Sequence, residues 1–206
     1  MKKILSTITC AAILGFTGTA SAFLFEMGAD STVTGPALTD PGLVMEFKIN
    51  ADLGSYLFDV AEGASSGSFL FATFWTNEGT INWGEDNVPQ SLTANVDFDS
   101  PDLLGTVNGS SNGDRDLIGF WSGWNISWTS PVTIDYGNGG SFELSLSEAS
   151  AGNDWFHGPD GVSANVYATI TNQNDPTAPV PEPSTMLLFG AGLAGLVGYS
   201  RRRQKK

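Results

Sequence analysis

Apolar and polar residues alternate with a period of two through much of the middle of the chain. Leu43, Met45, Phe47 and Ile49 interleave with Val44, Glu46 and Lys48; Leu92, Ala94, Val96 and Phe98 with Thr93, Asn95 and Asp97; Phe142, Leu144 and Leu146 with Glu143 and Ser145. The longest run comes last, with Val162, Ala164, Val166, Ala168 and Ile170 set against Ser163, Asn165, Tyr167 and Thr169. Successive side chains of a strand point to opposite faces, so each run predicts a strand with one face in a core and one in water. Ser68 to Thr76 is apolar at both parities, which suits a central strand covered on both sides or one bent between sheets. Tyr56–Val60, Leu117–Trp121, Trp124–Trp128 and Val132–Tyr136 bring the expected strands to about nine. Gly137-Asn138-Gly139-Gly140 predicts a hairpin turn between the last of these and the strand over Phe142–Leu146. The expected fold is all-β: a single antiparallel β-sandwich, jelly-roll or immunoglobulin-like, over residues 23–171, with a polar linker at 172–179.

At both ends the alternation gives way to continuous apolar runs. Lys2 and Lys3 precede an apolar stretch from Ile4 to Phe16, and Ala20-Ser21-Ala22 supplies a small-residue cleavage site ahead of Phe23. Residues 1–22 therefore read as a secretory signal peptide, cleaved at Ala20, Ala22 and Phe23. At the other end Met186 to Tyr199 is apolar; as a helix its 14 residues span about 21 Å, against a hydrocarbon core of roughly 30 Å. Ser184 and Thr185 extend it and arginines can snorkel to the interface, so one transmembrane helix is predicted over about residues 184–200. Arg201, Arg202 and Arg203 with Lys205 and Lys206 form a basic tail, 201–206, whose charge holds it in the cytoplasm and places everything upstream outside.

Pro181-Glu182-Pro183, the Gly-rich apolar helix and the Arg cluster follow one another in an order that resembles the PEP-CTERM sorting signal of bacterial exported proteins, spanning residues 180–206. That resemblance implies a partner, an exosortase, which is an integral-membrane cysteine transpeptidase cutting at or near the motif. It also implies a route: export by the secretory path, a transient single-pass stay in the inner membrane, then the cell surface or extracellular polysaccharide. The two prolines fix φ and push their preceding residues to extended conformations, which keeps the motif unwound and presentable to a protease. The resemblance covers the signal alone and leaves the exported domain without a family.

Composition narrows the chemistry. The single cysteine, Cys10, lies in the signal peptide, so the mature chain has no disulfide, no thiolate metal site and no cysteine nucleophile. Between residues 23 and 178 only Lys48 and Arg115 are basic against 21 Asp and Glu, a net charge of −19. Such a surface repels nucleic acid and anionic polymers and attracts divalent cations. Asn108 to Asp116 places Asn108, Asn112, Asp114 and Asp116 at alternate positions with a Gly where an EF-hand loop bends, so a calcium loop is the candidate metal site; it lacks the closing Glu, and a plain acidic loop is the competing expectation. No other cofactor is expected.

Gly63-Ala64-Ser65-Ser66-Gly67 and Gly109-Ser110-Ser111-Asn112-Gly113 match Gly-x-Ser-x-Gly, but both read as loops with no helix following, and His157 is the only histidine. No catalytic residue is assigned. Trp124, Ile126 and Trp128 share one strand face and read as core, whereas Trp83, Trp121 and Trp155 beside Gly-rich loops are the candidates for a sugar-stacking platform. The expected function is a non-catalytic exported surface or matrix protein, with a carbohydrate-binding module acting on extracellular polysaccharide as the alternative and a secreted hydrolase third.

Overall fold

Where the period-two runs stand, strands form. The computed structural model describes residues 22–115, 121–154 and 159–176. The signal segment through Ser21, Asp116, Trp155, His157, the motif Pro181-Glu182-Pro183, the helix at 184–200 and the tail at 201–206 lie outside these residues. The strands are β1 (Ala22–Met27), β2 (Thr32–Thr34), β3 (Glu46–Ile49), β4 (Leu57–Ala61), β5 (Phe69–Trp75), β6 (Gln90–Ser100), β7 (Leu103–Arg115), β8 (Trp121–Trp128), β9 (Val132–Gly137), β10 (Gly140–Leu146), β11 (Ala149–Asp154) and β12 (Ala164–Asn174). Among the described residues the only helical pieces are two single 3-10 turns.

The strands form two antiparallel sheets. One runs β11-β8-β7-β6-β1-β4, with β2 pairing β6 beside β1; the other runs β3-β5-β12-β10-β9. They face each other over one apolar core, and ring pairs cross the gap: Phe25 and Phe98 each meet Phe142 at 5.1 Å between centroids, and Phe74 meets Trp128 at 6.1 Å. This is a β-sandwich arrangement. It has more strands than an immunoglobulin-like domain or a jelly roll needs.

β12 behaves as its alternation requires. Val166, Ala168 and Ile170 are fully buried, while Tyr167 and Asn165 face water. It sits in the centre of its sheet between β5 and β10. The strand continues to Asn174, so Asn172, Gln173 and Asn174, expected in the linker, belong to the sheet. The hairpin also forms as expected, joining β9 to β10 through Asn138 at φ 52° and Gly139 at φ 80°. Two positive φ values in succession make the tight turn whose twist matches the flanking strands, a conformation that Asn and Gly reach at little cost.

The doubly apolar run over Ser68–Thr76 has a local explanation. The pairing of β5 with β12 shifts between Val166 and Tyr167, so Phe71 and Ala72 together oppose Val166. A bulge of this kind inserts one residue and changes the phase of the strand. Phe69, Phe71, Ala72 and Phe74 all point inward as a result, with Leu70 and Thr73 on the other face.

The stretch over Asn108–Asp116 is the main correction. Over Asn108–Arg115 it is not a loop: β7 carries the chain from Leu103 through Arg115 as an extended strand between β6 and β8. Asn108, Asn112 and Asp114 line its outer face, and Asn108 accepts a hydrogen bond from Thr93 across the strand gap at 3.1 Å. At roughly 3.3 Å per residue, Asn108 and Asp114 stand about 20 Å apart, too far to ligate one ion at the roughly 2.4 Å that calcium needs. The inner face of β7 carries Gly105, Val107, Gly109, Ser111 and Gly113. These small residues make room for large neighbours: a Cβ at position 109 would lie 2.5 Å from the Trp128 ring, and one at 105 would lie 2.9 Å from Ile134. Ser111 Oγ and Trp128 Nε1, both buried on this face, have no hydrogen-bond partner.

Both chain ends leave the domain at one pole. Ala22 pairs with Ala61, Phe23 packs on Tyr136 at 4.7 Å, and the Tyr136 hydroxyl donates to the carbonyl of Asn174 at 3.0 Å. Asn172 ties the sheets together there, its buried amide donating to Val60 O at 2.9 Å and to the Asp175 carboxylate at 2.6 Å. The pole is acidic: burial, then Asp175 and Glu62, push the Tyr136 hydroxyl up to about 12.

Candidate functional site

At the opposite pole three connections meet. The loop from β5 to β6, the end of β7 and the segment leading into β12 are stitched together by Gly113 N–H to Asp86 O (2.7 Å) and Gly161 N–H to Thr76 O (2.8 Å), and β8 joins them through Trp124 Nε1–H to Val162 O (3.2 Å). The β5–β6 loop presents Trp83, which is 61% exposed. Around it lies a shallow cleft of about 50 Å³ lined by Ile81, Trp83, Asn87, Gly113, Asp114 and Arg115.

The loop holds Trp83 in place through its own polar groups. Asp86, buried, accepts from the Asn82 N–H at 2.6 Å, Asn87 accepts from the Gly84 N–H at 2.8 Å, and Arg115 donates to Ile81 O at 3.2 Å. Ile81, also buried, anchors the loop in the core. An exposed ring on a turn cross-linked this way loses little freedom when something stacks on it.

Beside Asp86 stands Glu78, which accepts from the Val44 N–H at 2.6 Å. Burial raises the Glu78 carboxyl above its ordinary value, and the Asp86 and Asp40 carboxylates add to the rise against the lowering effect of the Val44 bond. A raised acid binds its proton more tightly in the folded state. Its contribution is therefore fully present below the unfolded value and is lost as pH climbs through the folded one. Glu78→Gln keeps the acceptor for Val44 and removes the charge, so it is expected to melt above the parent at pH 7 and to converge with it near pH 4. A melting series across pH 4–8 in which the two stay parallel would refute this.

The other expected site residues separate. Of the tryptophans proposed for stacking, Trp83 is exposed as expected; Trp121 opens β8, its backbone paired with Asp154, and Trp155 lies outside the described residues. Trp124, Ile126 and Trp128 are buried, as their shared face predicts. Neither Gly-x-Ser-x-Gly stretch forms a nucleophile elbow, since Ser111 is buried within β7 and the hydroxyl of Ser65 pairs with that of Thr171 at 2.8 Å. A wider depression of about 370 Å³ lies over Asn125, Ser127 and Ser150 between β8 and β11, without an aromatic ring among its described lining residues.

The chain beyond β12 is identified by comparison. Residues 179–203 match the model of the PEP-CTERM protein-sorting motif. The chain carries a PEP-CTERM sorting signal. Pro181, Glu182 and Pro183 with Arg201, Arg202 and Arg203 all fall within that match. PEP-CTERM motifs are recognised by exosortase, a membrane protein, which makes export and membrane processing at the C-terminus the fate that the signal implies. No curated protein and no solved structure matches the chain.

Proposed function

We propose that this is a non-catalytic component of the cell surface or extracellular matrix, handed over by an exosortase after transit through the inner membrane. The observation that carries the reading is the PEP-CTERM signal at residues 179–203, set behind a domain whose last described strand ends at Asn174. From Asn174 to Pro181 is seven residues, at most roughly 25 Å of chain, so the folded domain stays close to the membrane face while the motif is cut. A secreted hydrolase ranks last, because neither serine motif has the strand–turn–helix setting that would expose its nucleophile.

Intact-mass measurement on surface-extracted protein tests the route. The expected product starts at Phe23 and ends near Pro183, and deletion of the host exosortase leaves residues 201–206 attached. Finding those residues still present in the bulk of wild-type surface protein would overturn the sorting reading.

The exposure of Trp83 beside Asn87, Asp114 and Arg115 favours a second reading, in which the exported domain is a carbohydrate-binding module for extracellular polysaccharide.

A further inference from the structure

We propose that the Trp83 cleft is a binding site for a neutral pyranose polymer, carried at the pole of the domain farthest from its membrane attachment. This deepens the carbohydrate-binding reading and rests on it. Sugar rings offer apolar C–H faces that lie flat on an indole and hydroxyls that need donors and acceptors at the rim. The cleft supplies both, with the exposed Trp83 ring flanked by the amide of Asn87, the carboxylate of Asp114 and the guanidinium of Arg115.

Charge selects among sugars. Arg115 is one of two cations among residues 23–178, against 21 acids, and it stands next to Asp114 in the cleft. Acidic polymers are repelled by such a surface, and neutral ones are not. Size selects among neutral ligands. About 50 Å³ is far below the roughly 300–1,000 Å³ of a pocket that encloses a ligand, so no sugar is enclosed and what binds lies across the cleft, as an internal unit of a chain does.

Topology places the site. β12 starts beside the stitched loops of this pole and runs 11 residues to Asn174, roughly 35 Å, with the sorting signal downstream in the sequence. Tyr136, Asn172 and the first residues of β1 gather at that far end, so Trp83 stands at the pole opposite the one from which the chain leads to the sorting signal.

The test uses the full chain, purified in a detergent without a sugar headgroup, against cellohexaose, laminarihexaose and chitohexaose with an alginate oligomer as the acidic comparison. At least one neutral oligomer is expected to bind better than alginate. Trp83→Ala is expected to weaken that binding by roughly tenfold or more, the size of one lost stacking contact, while its melting temperature stays that of the parent because the ring packs on little protein. Trp83→Phe should retain part of the affinity. If Trp83→Ala binds as the parent does, the site is wrong though the carbohydrate reading survives; if no oligomer binds the parent, that reading fails as well; and a preference for alginate overturns the neutral class.

Discussion

Val166→Asp is expected to leave the domain unfolded or to lower its melting temperature by more than 10 °C, while Thr169→Asp stays close to the parent. Val166 is fully buried on the inner face of β12, opposite the bulge of Phe71 and Ala72. A carboxylate there has no partner and must ionise in the core or carry a costly proton, and the β-branched packing group is lost as well, for several kcal/mol together. A single domain without disulfides has about 5–15 kcal/mol to lose, and each kcal/mol moves a melt of this size by roughly 2–4 °C. Thr169 lies on the outer face, its hydroxyl 3.2 Å from that of Ser68, and a charge there remains hydrated at about half a kcal/mol. Thermal melts of the two purified variants decide it. Equal losses would mean that both faces of β12 are covered, and the assignment of an outer face would have to be abandoned.

Asn172→Ala carries the next largest expectation. Its amide bonds Val60 O in the other sheet and the Asp175 carboxylate, and its backbone exchanges hydrogen bonds with Gly63 and Ala64. Truncation leaves a buried carbonyl without its donor, at a cost of about 1–3 kcal/mol. Gln173→Ala, on the opposite face of the strand, is the control and should be near neutral. Urea unfolding reads both; a loss below about half a kcal/mol at Asn172 would show that the amide does not tie the sheets together.

How much of this was legible follows from how each strand builds its inner face. β6, β10 and β12 bury residues large enough to register as apolar, so period two exposed them directly. β7 uses the opposite device, setting Gly105, Gly109 and Gly113 beneath bulky partners and turning Thr, Asn and Ser to the other face. Read along the chain, that pattern has the composition of a loop, and it produced both the calcium expectation and the second Gly-x-Ser-x-Gly match. The size of the residue that a glycine accommodates is a tertiary fact, visible only when Trp128 is brought over Gly109. The alternation marks no strand over β1, β2 or β11 either. β1 begins with the residue before the proposed cleavage point, and in β11, Ala149–Asp154, the described side chains that pack on the core are the alanines Ala149 and Ala151. Trp83 was legible as an exposed ring because its neighbours are turn formers, but that it shares a cleft with Asp114 and Arg115 depends on the register that sets the end of β7 beside the β5–β6 loop.

The run of β12 from pole to pole bears on mechanics. A protein fixed at its C-terminus and gripped at its other end would take tension along the axis of this strand. Its hydrogen bonds to β5 and β10 lie across that axis, so they would be loaded in shear and resist collectively instead of opening one at a time like a zip. With Asn172 adding a cross-link to the second sheet near the point where the load enters, the strand that leads to the sorting signal is also the one best placed to withstand a pull.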